Sequence, residues 1–205
     1  MIKIQTILAL LITGLFILNC STVKFVSVDE AKPQSSVKIS LTDGSIKEGI
    51  IFKGDGKQLF YVDATSHKTD TIQYAKISQV EYLDKYFDYD GYEMPNAEIK
   101  SHKSPTKTIL YGAGGFVLGV AAGTGLSVAF FGSTEENPEG NRSAAISTIT
   151  GFGALGAATF GWMGSKIDLK DAVFKARKSR YAKVKQDLDK KKAELEELKR
   201  QKGLK

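Results

Sequence analysis

Three groups of side chains in this 205-residue chain have types and spacings that chemistry can use. The first is a thiol. Cys20, the single cysteine, follows one positive charge at Lys3 and an apolar run from Ile7 to Leu18, and it stands where polar sequence begins. A thiol at such a junction raises the question of whether the chain is cut and fastened to a membrane there. The second group is acidic: Asp88, Asp90 and Glu93 surround Gly91, as oxygen ligands at alternate positions do in calcium loops. With Gly91 in the turn position, the first and last ligand places fall on Tyr86 and Ala97, which carry no carboxylate. An acidic turn with packing tyrosines is therefore expected, and no metal. The third group is His67 and His102, which have no partners nearby in sequence and read as exposed loop histidines. Scattered carboxylates and two histidines give no converging acid–base pair, so neither a catalytic residue nor a cofactor is expected.

The stretch "FILNCST", residues 16–22, resembles the lipobox of bacterial lipoproteins, in the relaxed form of spirochaetes. Asn19 stands where Gly, Ala or Ser is usual, and Ile17 where Leu is common. The resemblance implies a signal peptide over residues 1–19 and a diacylglyceryl thioether with palmitate-type acylation on Cys20, which makes residues 20–36 a lipidated tether; polar composition and Pro33 argue against a helix in residues 23–36, whose start suits a short strand. The apolar run suits a secretory signal and is short for a bilayer span. Each buried acyl CH₂ contributes about 0.8 kcal/mol to anchoring. With its thiol acylated, the mature chain has no disulfide, thiolate metal cluster or cysteine nucleophile.

Stepping along the chain, residues 37–83 carry period-two alternation. Val37, Ile39 and Leu41 interleave with Lys38, Ser40 and Thr42, and Asp43-Gly44 marks a hairpin turn. Further strands are expected at Ile46–Phe52, Gln58–Ala64, Thr71–Tyr74 and Ile77–Leu83. Strands this short and closely spaced predict a small bent sheet closed into a barrel, with Ile39, Leu41, Ile50, Phe60 and Val80 inside. Their order resembles small SH3-like or Sm-like barrels, a likeness of fold that transfers no function. Residues 84–107 form an acidic, aromatic linker.

From Thr108 to Thr134, and again from Ser143 to Ser165, no residue is charged. Each stretch is long enough as a helix, at about 1.5 Å per residue, to cross a hydrocarbon core of about 30 Å. Glycine costs a helix about 1 kcal/mol relative to alanine, so this density needs a compensating contact. Gly115, Gly119, Gly123 and Ser127 recur every fourth residue, as do Gly153, Ala157, Gly161 and Ser165. Such small-residue faces let helices approach closely in lipid. Residues 108–165 thus predict a helical membrane hairpin packed through these positions, with Val120 facing lipid, and they resemble the glycine-zipper hairpins of bacterial envelope proteins.

Residues 166–205 carry fifteen Lys and Arg against seven Asp and Glu and favour helix. Val184, Leu188, Leu195 and Leu198 give a thin apolar seam, too short and broken for a long coiled coil. The tail is either solvated or set against anionic lipid or an acidic partner. The expected whole is an α+β chain: a small SH3/Sm-like β-barrel, a Gly-rich two-helix membrane hairpin and a basic C-terminal helix. The expected function is that of a non-enzymatic envelope lipoprotein acting as an interaction or scaffold module, with an oligomeric glycine-zipper pore as the alternative. Its partners would be membrane lipid and either an envelope protein or further copies of itself, without nucleic acid. A lipidated Cys20 and lysines flanking both spans are reconciled if the hairpin enters the outer membrane from the periplasm, leaving the N-terminal domain and the tail periplasmic.

Overall fold

The computed structural model describes residues 25–131 and 138–202, with side chains in the second segment from Arg142 onward. The expected signal peptide, Cys20 and the first part of the tether lie outside the described residues, as does most of the acidic loop between the two uncharged stretches. The chain is α+β and divides after Glu93 into two compact units.

The first unit is an antiparallel sheet of six strands: β1 (Phe25–Val26), β2 (Ser36–Leu41), β3 (Ile46–Gly54), β4 (Gln58–Asp63), β5 (Lys68–Gln73) and β6 (Ile77–Tyr82), in spatial order β1-β6-β2-β3-β4-β5. The β2–β3 turn forms where Asp43-Gly44 predicts it. Gly44 has φ +84°, and Asp43 Oδ1 accepts the Ser45 amide at 2.8 Å. A second hairpin, β7 (Tyr86–Phe87) with β8 (Glu93–Met94), occupies what reads in sequence as linker. Asp88 spends its carboxylate inside that turn, accepting the amides of Asp90 and Tyr92 at 3.0 and 2.9 Å.

The expected closure into a barrel is not formed, because β1 and β5 remain edges. The composition of β5 accounts for this. Every residue of it except Ile72 is exposed, and Lys68 and Asp70 place charges along an edge that resists further pairing. The sheet instead buries apolar side chains on both faces. Val37, Ile39, Ile51, Leu59, Tyr61, Ile72, Ile77 and Val80 form the main core, while Ile50 and Val62 pack with Phe87 on the other side. Of the expected interior residues, Ile39 and Val80 are in the main core and Leu41 lies partly buried against it. Ile50 is buried on the opposite face, and Phe60 is only half-buried. The parity of β4 runs through Leu59 and Tyr61, which leaves Phe60 beside Lys53, whose Nζ sits 4.9 Å from the ring centroid.

The second unit is helical: α1 (Asn96–Ser101), α2 (Thr106–Phe131) and α3 (Pro138–Gln201). The second uncharged stretch and the basic tail, separate in the sequence reading, are one helix of 64 residues, roughly 95 Å long. No proline or glycine pair interrupts helix formers after Ser165, so the helix continues where composition changes. α1 follows Pro95 and buries Ile99. Its Glu98 receives Arg180 of α3 in a two-pronged contact, Nε to Oε1 at 2.8 Å and Nη2 to Oε2 at 2.6 Å. Those hydrogen bonds hold the Glu98 carboxyl below its ordinary range.

Candidate functional site

The α2–α3 interface is built from absent side chains. A Cβ placed on Gly119 would fall onto the Phe152 carbonyl, 2.7 Å from its carbon and 2.9 Å from Gly153 Cα. One on Gly115 would strike the Gly156 carbonyl and come within 2.7 Å of Phe160 Cβ. One on Gly123 would lie 2.8 Å from Ile149 Cα. The antiparallel register carries on to Ser127, whose hydroxyl sits 2.7 Å from the Gly123 carbonyl of its own helix and 3.2 Å from the Ala145 carbonyl of α3. Close contact between backbones, with Phe116, Val120, Phe152 and Phe160 seated on the facing glycines, is how the pair gains packing to set against the helix cost of glycine.

All the expected α2 positions therefore face α3. On α3, Gly153 meets Phe116 and Val120, each with an atom 3.0 Å from the place its Cβ would take. Ala157 and Gly161 lie at the margin of the contact: the Ala157 carbonyl and Gly161 Cα are both 3.7 Å from a Cβ built on Gly112. Three glycines of the interface escape the strict spacing of four, namely Gly112, Gly156 and Gly164. Gly156 and Gly164 press most closely, the first on the Gly115 carbonyl and the second on the Lys107 carbonyl. Residues stepping by four turn about 40° around a helix at each step. The contact stripe corrects this with one step of three on each helix, from Gly115 to Gly112 and from Gly153 to Gly156. Val120, expected to face lipid, instead touches the partner helix.

At the base of the hairpin a charged residue replaces the glycines. Asp168 is buried, and its carboxylate accepts the Lys107 amide at 3.0 Å and the Thr108 amide and hydroxyl at 2.8 and 2.7 Å. It caps the N-terminus of α2 from another helix, supplying acceptors that the first helical turn lacks and a charge that suits the helix dipole. Burial pushes its pKa up, and the Thr108 contacts and Lys107 amide outweigh that, so it lies below the ordinary carboxylate value. No sequence pattern announces this contact, which joins residues 60 positions apart.

The outer surface of the hairpin inverts that of a soluble protein. Ile109, Leu110, Val117, Leu118, Val128 and Phe130 of α2 are each exposed by 60% or more, while Gly115, Gly123 and Ser127 are its buried residues. α3 likewise exposes Ile146, Leu155, Trp162 and Met163. Both helices are long and apolar enough to cross a membrane. Tyr111 and Trp162 lie at one level near the base, where Lys166 Nζ sits 3.4 Å from the Trp162 ring centroid and Lys103 Nζ donates to Ser165 Oγ at 3.0 Å. Aromatic rings backed by lysines suit a membrane–water boundary. From Tyr111 to Phe131 the helix rises about 30 Å, the thickness of a hydrocarbon core.

The sheet unit also carries an open cleft of about 530 Å³ lined by Ile46, Glu48, Ala64, Thr65, His67, Lys85, Phe87, Gly91 and Glu93. In it Lys85 pairs with Glu48, and His67 stacks on Tyr92 with ring centroids 3.8 Å apart. His67 holds φ +55° in that position. Nearby, buried Asp63 accepts the Thr65 and Ser66 amides at 2.7 and 2.8 Å, which makes it a turn-forming group. His102 closes the C-terminus of α1. Comparison with protein-family models, curated proteins and solved structures finds no match for this chain.

Proposed function

We propose that the protein is a non-enzymatic cell-envelope lipoprotein, fastened by acylated Cys20 and by the α2–α3 hairpin, that presents its sheet unit and basic tail as an interaction or scaffold module. The observation that carries this reading is the inverted hairpin: small residues inside, large apolar residues outside. In water each such exposed Leu, Ile or Phe forgoes about 1.5–3 kcal/mol of burial. In lipid the same side chains favour insertion by about 0.3–0.6 kcal/mol each near the bilayer centre. The SH3/Sm-like character of the sheet belongs to this proposal as well. β6 returns beside β2 to bend the sheet, and a small sheet of this kind suits recognition. An outer-membrane location with the tail on the periplasmic side completes the reading, since both helical ends carry lysines that a periplasmic approach accommodates.

Acyl labelling and alkaline extraction of membranes test it together, using the parent chain and Cys20→Ala. The parent should take up labelled fatty acid and stay with the membrane. Cys20→Ala should lose the label and keep the uncut precursor size, yet still resist extraction through the hairpin. Label retained by Cys20→Ala overturns the acylation, and release of that variant into the supernatant overturns the hairpin anchor.

A further inference from the structure

Beyond the hairpin and α1, α3 continues as a bare rod: from Ala182 to Lys202 every residue is exposed. Its apolar positions are not scattered. Val184, Leu188, Leu195 and Leu198, each about half exposed, fit a seven-residue repeat in which Leu188 and Leu195 take position a and Val184 and Leu198 take position d. Lys191 is the one polar residue in a d place between them. The flanking positions decide what this seam fits. Position g holds Asp187 and Glu194, and position e holds Lys185, Lys192 and Lys199.

In a parallel two-stranded coil, g of one helix meets the e five residues later on the other, which pairs Asp187 with Lys192 and Glu194 with Lys199, each twice by symmetry. In an antiparallel pair, g meets g and e meets e, setting acid against acid and lysine against lysine. We propose that residues 184–202 bind the same segment of a second copy of this chain as a parallel, in-register two-stranded coiled coil. The charge code disfavours the antiparallel alternative; the in-register pairing sets Lys191 against Lys191, a polar layer that costs stability and that both side chains relieve by carrying their ammonium groups outward to water. The inference rests on the membrane-anchored reading in one respect. So short a seam is marginal alone, and anchoring two copies in one membrane with their α3 helices emerging on the same side raises the effective concentration of each tail for the other.

The test uses the full chain on a Cys20→Ala background, reconstituted in vesicles of neutral lipid and in vesicles with anionic lipid. Leu198→Cys should form a disulfide with itself. A mixture of Leu188→Cys chains with Leu198→Cys chains should give no 188-to-198 product, which an antiparallel pair, packing a against d, would form. With Leu198→Cys as reporter, Lys192→Glu/Lys199→Glu and Asp187→Lys/Glu194→Lys should each weaken self-linking by about tenfold or more, as attraction turns to repulsion at every pair. Mixing those two variants should restore linking, because acidic e then faces basic g. Equal linking in parent and charge variants, failure of the mixture to recover, or a 188-to-198 product overturns the proposal. So does a tail that stays single and follows the anionic lipid content of the vesicle. Resistance of the same samples to alkaline extraction reports on the hairpin anchor separately, so the two readings fail independently.

Discussion

One methyl group added at Gly119 and the same group added at Gly114 should act in opposite directions, although both sit in α2 and both changes are Gly→Ala. At Gly114 nothing lies within 4 Å of the new Cβ, so the change only removes glycine's helix penalty, a gain of about 0.8–1.0 kcal/mol in an aqueous helix and less in lipid. At Gly119 the Cβ would stand 2.7 Å from the Phe152 carbonyl carbon and 2.9 Å from Gly153 Cα. Carbon atoms rest at about 3.5–4.0 Å, so the helices must part locally by roughly 1 Å. A gap of that size forfeits up to about half of each dispersion contact at the neighbouring Gly115–Gly156 and Gly123–Ile149 crossings. Overpacking of this kind costs about 1–3 kcal/mol, which puts the two alanine variants about 2–4 kcal/mol apart. Trp162, the only tryptophan in the chain, lies on α3 and reports the unfolding of the full chain in mixed micelles as SDS is raised. Gly119→Leu should fail more severely, with Val117→Leu as the outward control, since Val120 touches Gly153. Equal shifts for Gly114→Ala and Gly119→Ala would refute the idea that backbone contact holds the hairpin together.

Two further outcomes follow from the described geometry. Because the folded-state pKa of Asp168 is depressed, its stabilising charge is fully present above the ordinary carboxylate value of 3.8 and is lost as pH falls through the lower folded value. The melting temperature of the detergent-solubilised chain should therefore drop below about pH 4, and Asp168→Asn should lower it at neutral pH and flatten its acid dependence; an unchanged profile would remove the interhelical cap from the account. In the sheet, Ile50→Ala should cost about 2–5 kcal/mol, whereas Phe60→Ala, at a half-buried site beside Lys53, should cost clearly less. Hydrogen exchange of the β3 and β4 amides measures both, and a larger loss at Phe60 would restore it to the interior.

What could be read from the sequence was whatever a local period encodes. Alternation places β2, β3, β4 and β6 within a residue or two, and the Asp43-Gly44 turn follows from glycine's tolerance of positive φ. Parity in β4 is harder, because "QLFYVD" is apolar on both faces and alternation alone cannot choose between Leu59 with Tyr61 and Phe60 with Val62. Only the second layer under Phe87 explains why both faces are apolar, and that layer is supplied by residues that read as linker. Short, closely spaced strands point to barrel closure because closure removes edges, but closure depends on whether an edge strand can accept a neighbour, and the exposed charges of β5 argue against it.

The hairpin divides in the same way between local and distant information. Small-residue recurrence reveals that two faces exist, and it finds Gly115, Gly119, Gly123 and Gly153 because one helix is enough to show a repeat. It cannot show where the stripe must step by three, since that depends on how two helices cross, and so Gly112, Gly156 and Gly164 appear only when both are in place. Asp168 lies further still from local pattern: an acidic residue in a basic segment, its role fixed by a helix N-terminus 60 positions earlier. That cap also bears on function. It sits where the apolar exterior gives way to lysines, so it fixes the register of α2 against α3 at the level where the hairpin would leave the lipid. A rod that is to present a coiled-coil seam at a set height above a membrane needs such a fixed point, because a slip of one helical turn at the base would carry the seam about 5.4 Å along its axis and out of step with a second copy.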